Sequence, residues 1–225
     1  MTTVTISVQQ DVLADRKRQA DEFRTACSAA GTLVVNLVSS PGAGKTSLLE
    51  ATAKHWAGKV SVAVLVGDIA TERDADRLRP LLPVHQLTTG GACHLDAGLV
   101  QRGLRQLPSL TFDVLFIENV GNLVCPASHD LGEHLRVVLL SVPEGDDKPG
   151  KYPKMFRTSH ALLITKTDLL PHVPFSPEAA IADARLIQPG LQCLEVCSLR
   201  DIGISEWCSW LLEARRRLTA AGQGN

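Results

Sequence analysis

Residues 37–49 read LVSSPGAGKTSLL, an apolar run that breaks into a glycine-bearing loop and resumes as an amphipathic stretch. Phosphate oxygens are held where backbone N–H groups converge at the amino end of a helix, and glycine lets the main chain come that near. Gly42, Ala43 and Gly44 supply such a loop, and Ser47 lies in the first turn of the helix beyond it. Lys45 is placed to reach the β- and γ-phosphates, and the Thr46 hydroxyl to ligate Mg²⁺. One position departs from the pattern G-x-x-x-x-G-K-[ST]: Ser39 stands where the first glycine belongs. Two carboxylates extend the motif. Asp68 closes the run SVAVLVGD and Glu118 closes DVLFIE. Both are expected at the carboxyl ends of parallel strands, where open α/β sheets bind ligands, and either can hold Mg²⁺ directly or through water. Lys45, Asp68 and Glu118 are therefore the candidate catalytic residues, and the residues leave open which carboxylate orients an attacking water. In ENVG after the second strand, the N–H of Gly121 is placed to sense a γ-phosphate.

Thr165-Lys166-Thr167-Asp168 follows the apolar run ALLI and matches the guanine-reading pattern N-K-x-D with Thr in place of Asn. A carboxylate at Asp168 accepts from both the ring N–H and the exocyclic amine of guanine. Adenine would leave that acceptor unpaired, a costly outcome in a buried site. The Lys166 stem is expected along the base, Ser198 is a further base contact from the last loop, and loss of the amide at Thr165 is expected to leave the loop less braced. These residues together describe a GTP/GDP site.

A third constellation is softer in its chemistry. Cys93 and His94 are adjacent in GGACHL, and Cys125 follows Gly121 by only a short stretch, VGNLVC. Thiolate and imidazole suit Ni²⁺ or Zn²⁺ and poorly suit Mg²⁺. Three ligands leave a tetrahedral site unfinished, which two copies meeting on a twofold axis would complete or share. A buried thiol and a satisfied histidine fit the same spacing, and the residues alone leave that alternative open. If the segment after Glu118 moves on hydrolysis, Cys125 moves with it, and metal affinity and nucleotide state become reciprocally linked. His129 and His134 read as helix-face or surface histidines, and the other four cysteines as small apolar side chains.

The elements that must position these groups follow from hydrophobic patterning. Continuous apolar runs at 33–38, 60–66, 114–117, 137–142, 161–164 and 193–196 read as strands covered on both faces. Amphipathic stretches at 14–29, 45–57, 74–82, 95–107 and from 204 onward read as helices. Alternation of the two kinds predicts an α/β fold with a mostly parallel sheet and helices on both faces. One domain is expected over 1–225, with a helical extension at 1–30, a flexible tail at 220–225, and a polar surface loop at 144–156. A net charge of −1 gives no broad basic surface for nucleic acid or an acidic membrane. No apolar run approaches the roughly 20 residues of a membrane span, and the opening residues lack the apolar core of an export signal. A cytoplasmic protein with reduced thiols is expected.

The segments SSPGAGKTSLLE, GDIATERDADRLR, TTGGACHLDAGLV, FIENVGNLVCPASHDLGE, EGDDKPGKYPKMF and TKTDLLPHV closely resemble the HypB family of nickel-incorporation GTPases, over about residues 30–212. The resemblance implies a P-loop G domain, a GTP-dependent homodimer, and delivery of Ni²⁺ to the hydrogenase large subunit with the help of nickel-delivery partners. It also implies interface metal ligands at Cys93, His94 and Cys125. The amino-terminal cysteine-rich motif and the histidine-rich stretch of some members are absent, so nickel storage is not expected. Slow hydrolysis is expected, since Arg73 and Arg77 read as partners of Asp74 or Asp76 rather than as a catalytic finger. A urease-accessory GTPase, a metabolic P-loop kinase and a regulatory GTPase with structural cysteines are the competing readings. The adjacent Cys-His pair, the separate Cys125 and the absence of an arginine-rich lid favour the first reading over these.

Overall fold

The structure is a computed structural model that describes residues 2–68 and 73–222, with side chains described from residue 14 onward. In chain order the elements are α1 (Thr2–Ala29), β1 (Leu33–Ser39), α2 (Lys45–Trp56), β2 (Val62–Asp68), α3 (Arg73–Leu78), β3 (Val84–Thr88) and α4 (Ala97–Leu104). There follow β4 (Val114–Gly121), β5 (Leu135–Ser141), α5 (Lys148–Lys151), α6 (Pro153–Arg157), β6 (Ala161–Thr165), α7 (Pro177–Ile187), β7 (Gln192–Val196) and α8 (Ile204–Gly222). The seven strands form one parallel sheet in the order β3-β2-β4-β1-β5-β6-β7. β1, with all seven residues buried, lies at the centre, so the loop that leaves it opens at the middle of the sheet's carboxyl edge.

Alternation along β1 sorts the core into two faces. Leu33, Val35 and Leu37 pack with Trp56, Phe116 and Trp207 under α2 and α8. Val34 packs on the other face with Phe23, Cys27 and Leu115 beneath α1 and α4, while Val38 joins Met155, Phe156 and Ala184 beneath α6 and α7. Between those two apolar clusters lies Asn36, fully buried, whose amide donates to Glu133 at 3.1 Å and accepts from Asn119 at 3.2 Å. Glu133 pairs with buried Arg136 at 2.7 Å. Fully satisfied polar groups of this kind are tolerated in a core because each partner is supplied.

The expected strands and the parallel α/β class are present, and four stretches of the chain differ from expectation. β3 reads as no strand in the sequence. Residues 144–156 are not a surface loop: they hold α5 and α6, and Met155 and Phe156 are fully buried. The first helix runs well beyond 14–29, and α8 continues to Gly222, so the expected tail falls partly in helix and partly, at 223–225, outside the described residues. His134, expected on a helix face or the surface, caps a strand instead, and His160 does the same. His134 Nδ1 accepts from Val34 N and His160 Nδ1 from Arg136 N, both at 2.9 Å. Burial lowers the pKa of both, His134 to about 4, so each stays neutral and keeps the lone pair that the bond needs.

Candidate functional site

Gly44 sits at φ 95° as the residue before α2, a left-handed conformation that costs glycine little. That turn aims the amino end of α2 into the space at the carboxyl edge of β1, β4 and β5. Lys45 is buried there, and burial lowers its pKa. Its Nζ donates to Ser39 Oγ at 3.0 Å. The serine that departs from the phosphate-loop pattern is thus the group that holds the loop's lysine. On the other side Thr165 Oγ1 donates to the Ala43 carbonyl and Lys166 Nζ to the Gly42 carbonyl, both at 2.7 Å. The expectation of a poorly braced loop is corrected: the Thr165 hydroxyl bonds the phosphate loop directly, a link through space that spacing in the chain does not reveal.

Asp68 ends β2, but Glu118 does not close its strand as expected: it lies within the neighbouring β4, which runs on to Gly121. Thr46 Oγ1 donates to Glu118 Oε1 at 2.9 Å, and Glu118 Oε2 is buried without a hydrogen-bond partner among the described residues. Burial pushes the Glu118 carboxyl up to about 7, with the Lys45 ammonium pulling against it. A buried carboxylate oxygen beside a threonine hydroxyl and a phosphate loop is a donor set that fits Mg²⁺, with Asp68 at the adjoining strand end. Residues 69–72, which continue from Asp68, lie outside the described residues. Arg77 donates to Glu50 at 2.8 Å and to Ser47 Oγ at 3.2 Å, while Asp76 pairs with Arg79. The expected pairing of Arg77 with Asp74 or Asp76 is therefore replaced by one across to α2.

Gly121, at the end of β4, runs against the phosphate loop. A Cβ there would lie 2.8 Å from Pro41 Cα and 2.9 Å from Pro41 N. Backbone cannot swing aside as a side chain can, so Gly121→Ala is expected to lower stability by about 1–3 kcal/mol. A urea melt reads this.

Asp168 and Ser198 line one cavity of about 310 Å³ together with Gly44, Ser47, Thr165, Lys166, Leu169, Cys197 and Leu199. Lys166 takes φ 59°, which turns the chain so that Asp168 faces this space. Cys197, which the sequence did not single out for the base pocket, donates its thiol to Asp168 Oδ1 at 3.1 Å. The cavity abuts the amino end of α2, as a base pocket beside a phosphate loop must.

At the far end of β4 the chain turns through Asn122, whose amide donates to the Cys93 carbonyl at 3.3 Å, and enters a 3-10 turn over Cys125–Ser128. Cys93 and Cys125 meet with their sulfurs 2.7 Å apart, and His94 Nδ1 lies 3.8 Å from Cys93 Sγ. Cys93 and His94 sit in the loop before α4, whose N-cap is Asp96, rather than in the helix itself. The thiol contact raises the Cys93 pKa. Among the described residues no three His, Cys, Asp or Glu side chains are grouped so as to hold a metal ion, so Cys93, His94 and Cys125 lie close without forming a ready three-ligand site. The residue that sequence reasoning missed here is His129, whose ring stacks on that of His94 with centroids 3.7 Å apart. Of the remaining cysteines, Cys27 and Cys208 are buried and held as thiols, their pKa values pushed up to about 11 and about 12.

Sheet order and the glycine-bearing loop between β1 and α2, with a cavity beside it, define a P-loop nucleotide-binding fold. The chain belongs to the CobW/HypB/UreG family, whose nucleotide-binding domain matches residues 33–195, and within it to the HypB hydrogenase maturation factors. It is 46% identical over 211 residues to the hydrogenase maturation factor HypB of Azotobacter vinelandii, covering 93% of this chain and 70% of that one. It superposes on the crystal structure of HypB from Helicobacter pylori in complex with nickel with TM-score 0.86 and 38% identity, covering 90% of this chain and 96% of the other. The corresponding values for the hydrogenase maturation factor HypB from Archaeoglobus fulgidus are 0.83, 37%, 90% and 99%. No described helix is long and apolar enough to cross a membrane.

Proposed function

We propose that the chain is a GTP-hydrolysing nickel metallochaperone that helps insert Ni²⁺ into the hydrogenase large subunit, working as a GTP-dependent homodimer in the cytoplasm. Gly42, Ala43, Gly44 and Ser47 cradle the phosphates, Gly121 senses the γ-phosphate, and Thr165, Lys166, Asp168 and Ser198 frame guanine. Lys45 spreads positive charge over the β- and γ-phosphates as the terminal bond breaks. Thr46, Asp68 and Glu118 hold Mg²⁺, which when bound neutralises charge developing on the phosphate oxygens. Arg77 is occupied by Glu50 and Ser47, which fits a slow intrinsic rate: GTPases without an arginine finger turn over roughly 10³- to 10⁵-fold more slowly than assisted ones.

The observation that carries the metal reading is the meeting of Cys93 and Cys125, separated by 32 positions, beside His94. Cys125 lies in the turn that directly follows the strand of Glu118, so one stretch of backbone runs from the nucleotide site to the cargo site. Cys93 is exposed, as is Val124 beside Cys125, at 63%. Such a face suits closure by a second copy, which would supply the missing ligands for Ni²⁺ or Zn²⁺. The nickel complex of the Helicobacter pylori relative supports the choice of nickel.

Titrating Ni²⁺ into the protein with GDP or a non-hydrolysable GTP analogue, with mass followed by light scattering, tests this. The expected result is nucleotide-dependent nickel affinity and association to a dimer with the analogue. Cys93→Ala and Cys125→Ala should each weaken nickel by more than the roughly 10- to 100-fold that loss of a supporting residue produces. Unchanged binding in both variants would make the cysteines structural and reduce the protein to a nucleotide switch of unknown cargo.

A further inference from the structure

We propose that His129 is a positioning residue of the cargo site, which ties the ligand His94 to the ligand Cys125 so that the two loops present nickel as one unit. The inference rests on the nickel reading above and deepens it.

His129 bridges the two loops. Its ring lies against that of His94, centroids 3.7 Å apart and planes inclined by 22°. Its Nδ1 lies 2.8 Å from the Cys125 carbonyl oxygen. A carbonyl only accepts, so Nδ1 carries the proton and donates. One side chain therefore grips the imidazole of the first loop by its face and the main chain of the second by a hydrogen bond. The bond to Cys125 lies within one turn of the chain, whereas His94 and His129 come from opposite ends of the α4 and β4 excursion.

The geometry also decides between holding a ligand and being one. Stacked rings have nearly parallel in-plane lone pairs. Lone pairs that run side by side on rings with centroids 3.7 Å apart do not converge on a single ion about 2.0–2.1 Å from each nitrogen. The stack therefore orients His94 and leaves the coordination to it. Supporting residues of this kind fix the rotamer of the group they touch, and their loss weakens metal affinity without changing the ligand count.

The main chain of His129 is anchored in turn. Arg136 Nη2 donates to the His129 carbonyl at 2.7 Å, and Arg136 Nε to Glu133 Oε1 at 2.8 Å. Glu133 accepts from Asn36, and Asn36 accepts from Asn119, the residue after Glu118. Arg136, Glu133, Asn36 and Asn119 are all buried. The ring thus sits at the outer end of a buried polar chain that starts beside the nucleotide site. An anchor fixed in the core, rather than on a loose surface turn, is what lets one side chain pre-organise two loops.

The test is Ni²⁺ affinity by titration and the number of bound imidazoles by X-ray absorption, in the full-length wild type, His129→Ala and His129→Phe. Phenylalanine keeps a ring to stack on His94 but gives up the bond to Cys125. With His129 in a positioning role, His129→Ala binds nickel about 10- to 100-fold more weakly with the imidazole count unchanged, and His129→Phe recovers part of the loss. An alanine variant that binds as wild type does overturns the inference and leaves the nickel reading standing. Loss of one bound imidazole in both variants also overturns it, since His129 is then itself a ligand. A wild type that binds no nickel overturns the parent reading instead. Unfolding curves of the three proteins separate a local loss from a folding defect, and the phenylalanine variant keeps the comparison open where alanine destabilises the turn.

Discussion

Asp168→Asn is expected to weaken GDP and GTP binding by about 10²- to 10⁴-fold and to shift the preference of the pocket toward xanthine nucleotides. The carboxylate offers acceptors to two guanine donors, the ring N–H and the exocyclic amine. An asparagine offers one acceptor and one donor, so its amide N–H₂ meets the guanine amine, donor against donor. Hydrogen bonds to a charged group are worth about 1.5–3 kcal/mol each, and two of them give the range stated. Xanthine carries a carbonyl where guanine carries the amine, and there the new amide donor finds an acceptor. The pocket should survive the change. The Asn Oδ1 can still accept from the Cys197 thiol, which donates to Asp168 at 3.1 Å. The braces from Thr165 to Ala43 and from Lys166 to Gly42 do not involve residue 168. Competition titrations of GDP and XDP read the outcome directly. Unaltered GDP affinity would mean that Asp168 does not touch the base and that the cavity beside α2 is not the base pocket.

The parts of this site that a reader of the sequence can find are those whose chemistry is local in the chain. The phosphate loop is one such part, since strand, glycines, lysine and helix follow one another within 37–49. The central strands are legible for a similar reason: β1 and β5 are buried on both faces and read as apolar runs, broken only by Asn36 in the one and by Arg136 near the start of the other. β3 is an edge strand whose residues are mostly half-exposed, and VHQLT mixes polar and apolar side chains without a run to notice. α5 and α6 hide behind Gly, Pro and charge, although Met155 and Phe156 seal one cluster of the core. Contacts made through the fold leave no local trace. The Ser39–Lys45 bond turns an apparent flaw in the motif into its brace. Thr165 likewise replaces an amide yet finds the Ala43 carbonyl. His129 looks like any histidine on a turn until the fold lays it on His94.

Glu118→Gln is expected to cut GTP hydrolysis by about 10²- to 10³-fold, the usual cost of removing one pre-organised electrostatic group, while altering the pH dependence of stability. Glu118 Oε2 is buried without a hydrogen-bond partner among the described residues, and burial lifts the carboxyl to about 7 from 4.5. Between those two values the folded protein binds the proton that the unfolded chain has released. Stability therefore falls as pH rises through this window, by on the order of 3 kcal/mol in all. His134 acts with the opposite sign. Its pKa drops from 6.5 to about 4 on folding, so below 6.5 the unfolded chain gains the proton and stability falls as pH falls. His160 and His94, whose pKa values burial also lowers, act in the sense of His134, so below pH 6.5 these slopes oppose that of Glu118, and only the difference between wild type and the Glu118 variant isolates it. Urea unfolding in EDTA without nucleotide, from pH 4.5 to 8, should show wild-type stability declining relative to the variant across this range. The absolute offset is a poorer guide than the slope. Glutamine keeps the oxygen that accepts from Thr46 at 2.9 Å but puts an amide N–H₂ where the unpartnered oxygen was. Parallel wild-type and variant profiles would show that Glu118 does not titrate in this window, and unchanged hydrolysis would remove it from the catalytic set. If both effects appear, one carboxylate destabilises the empty protein at neutral pH and serves the loaded one, which is the trade expected of a group kept for a cation that folding alone does not supply.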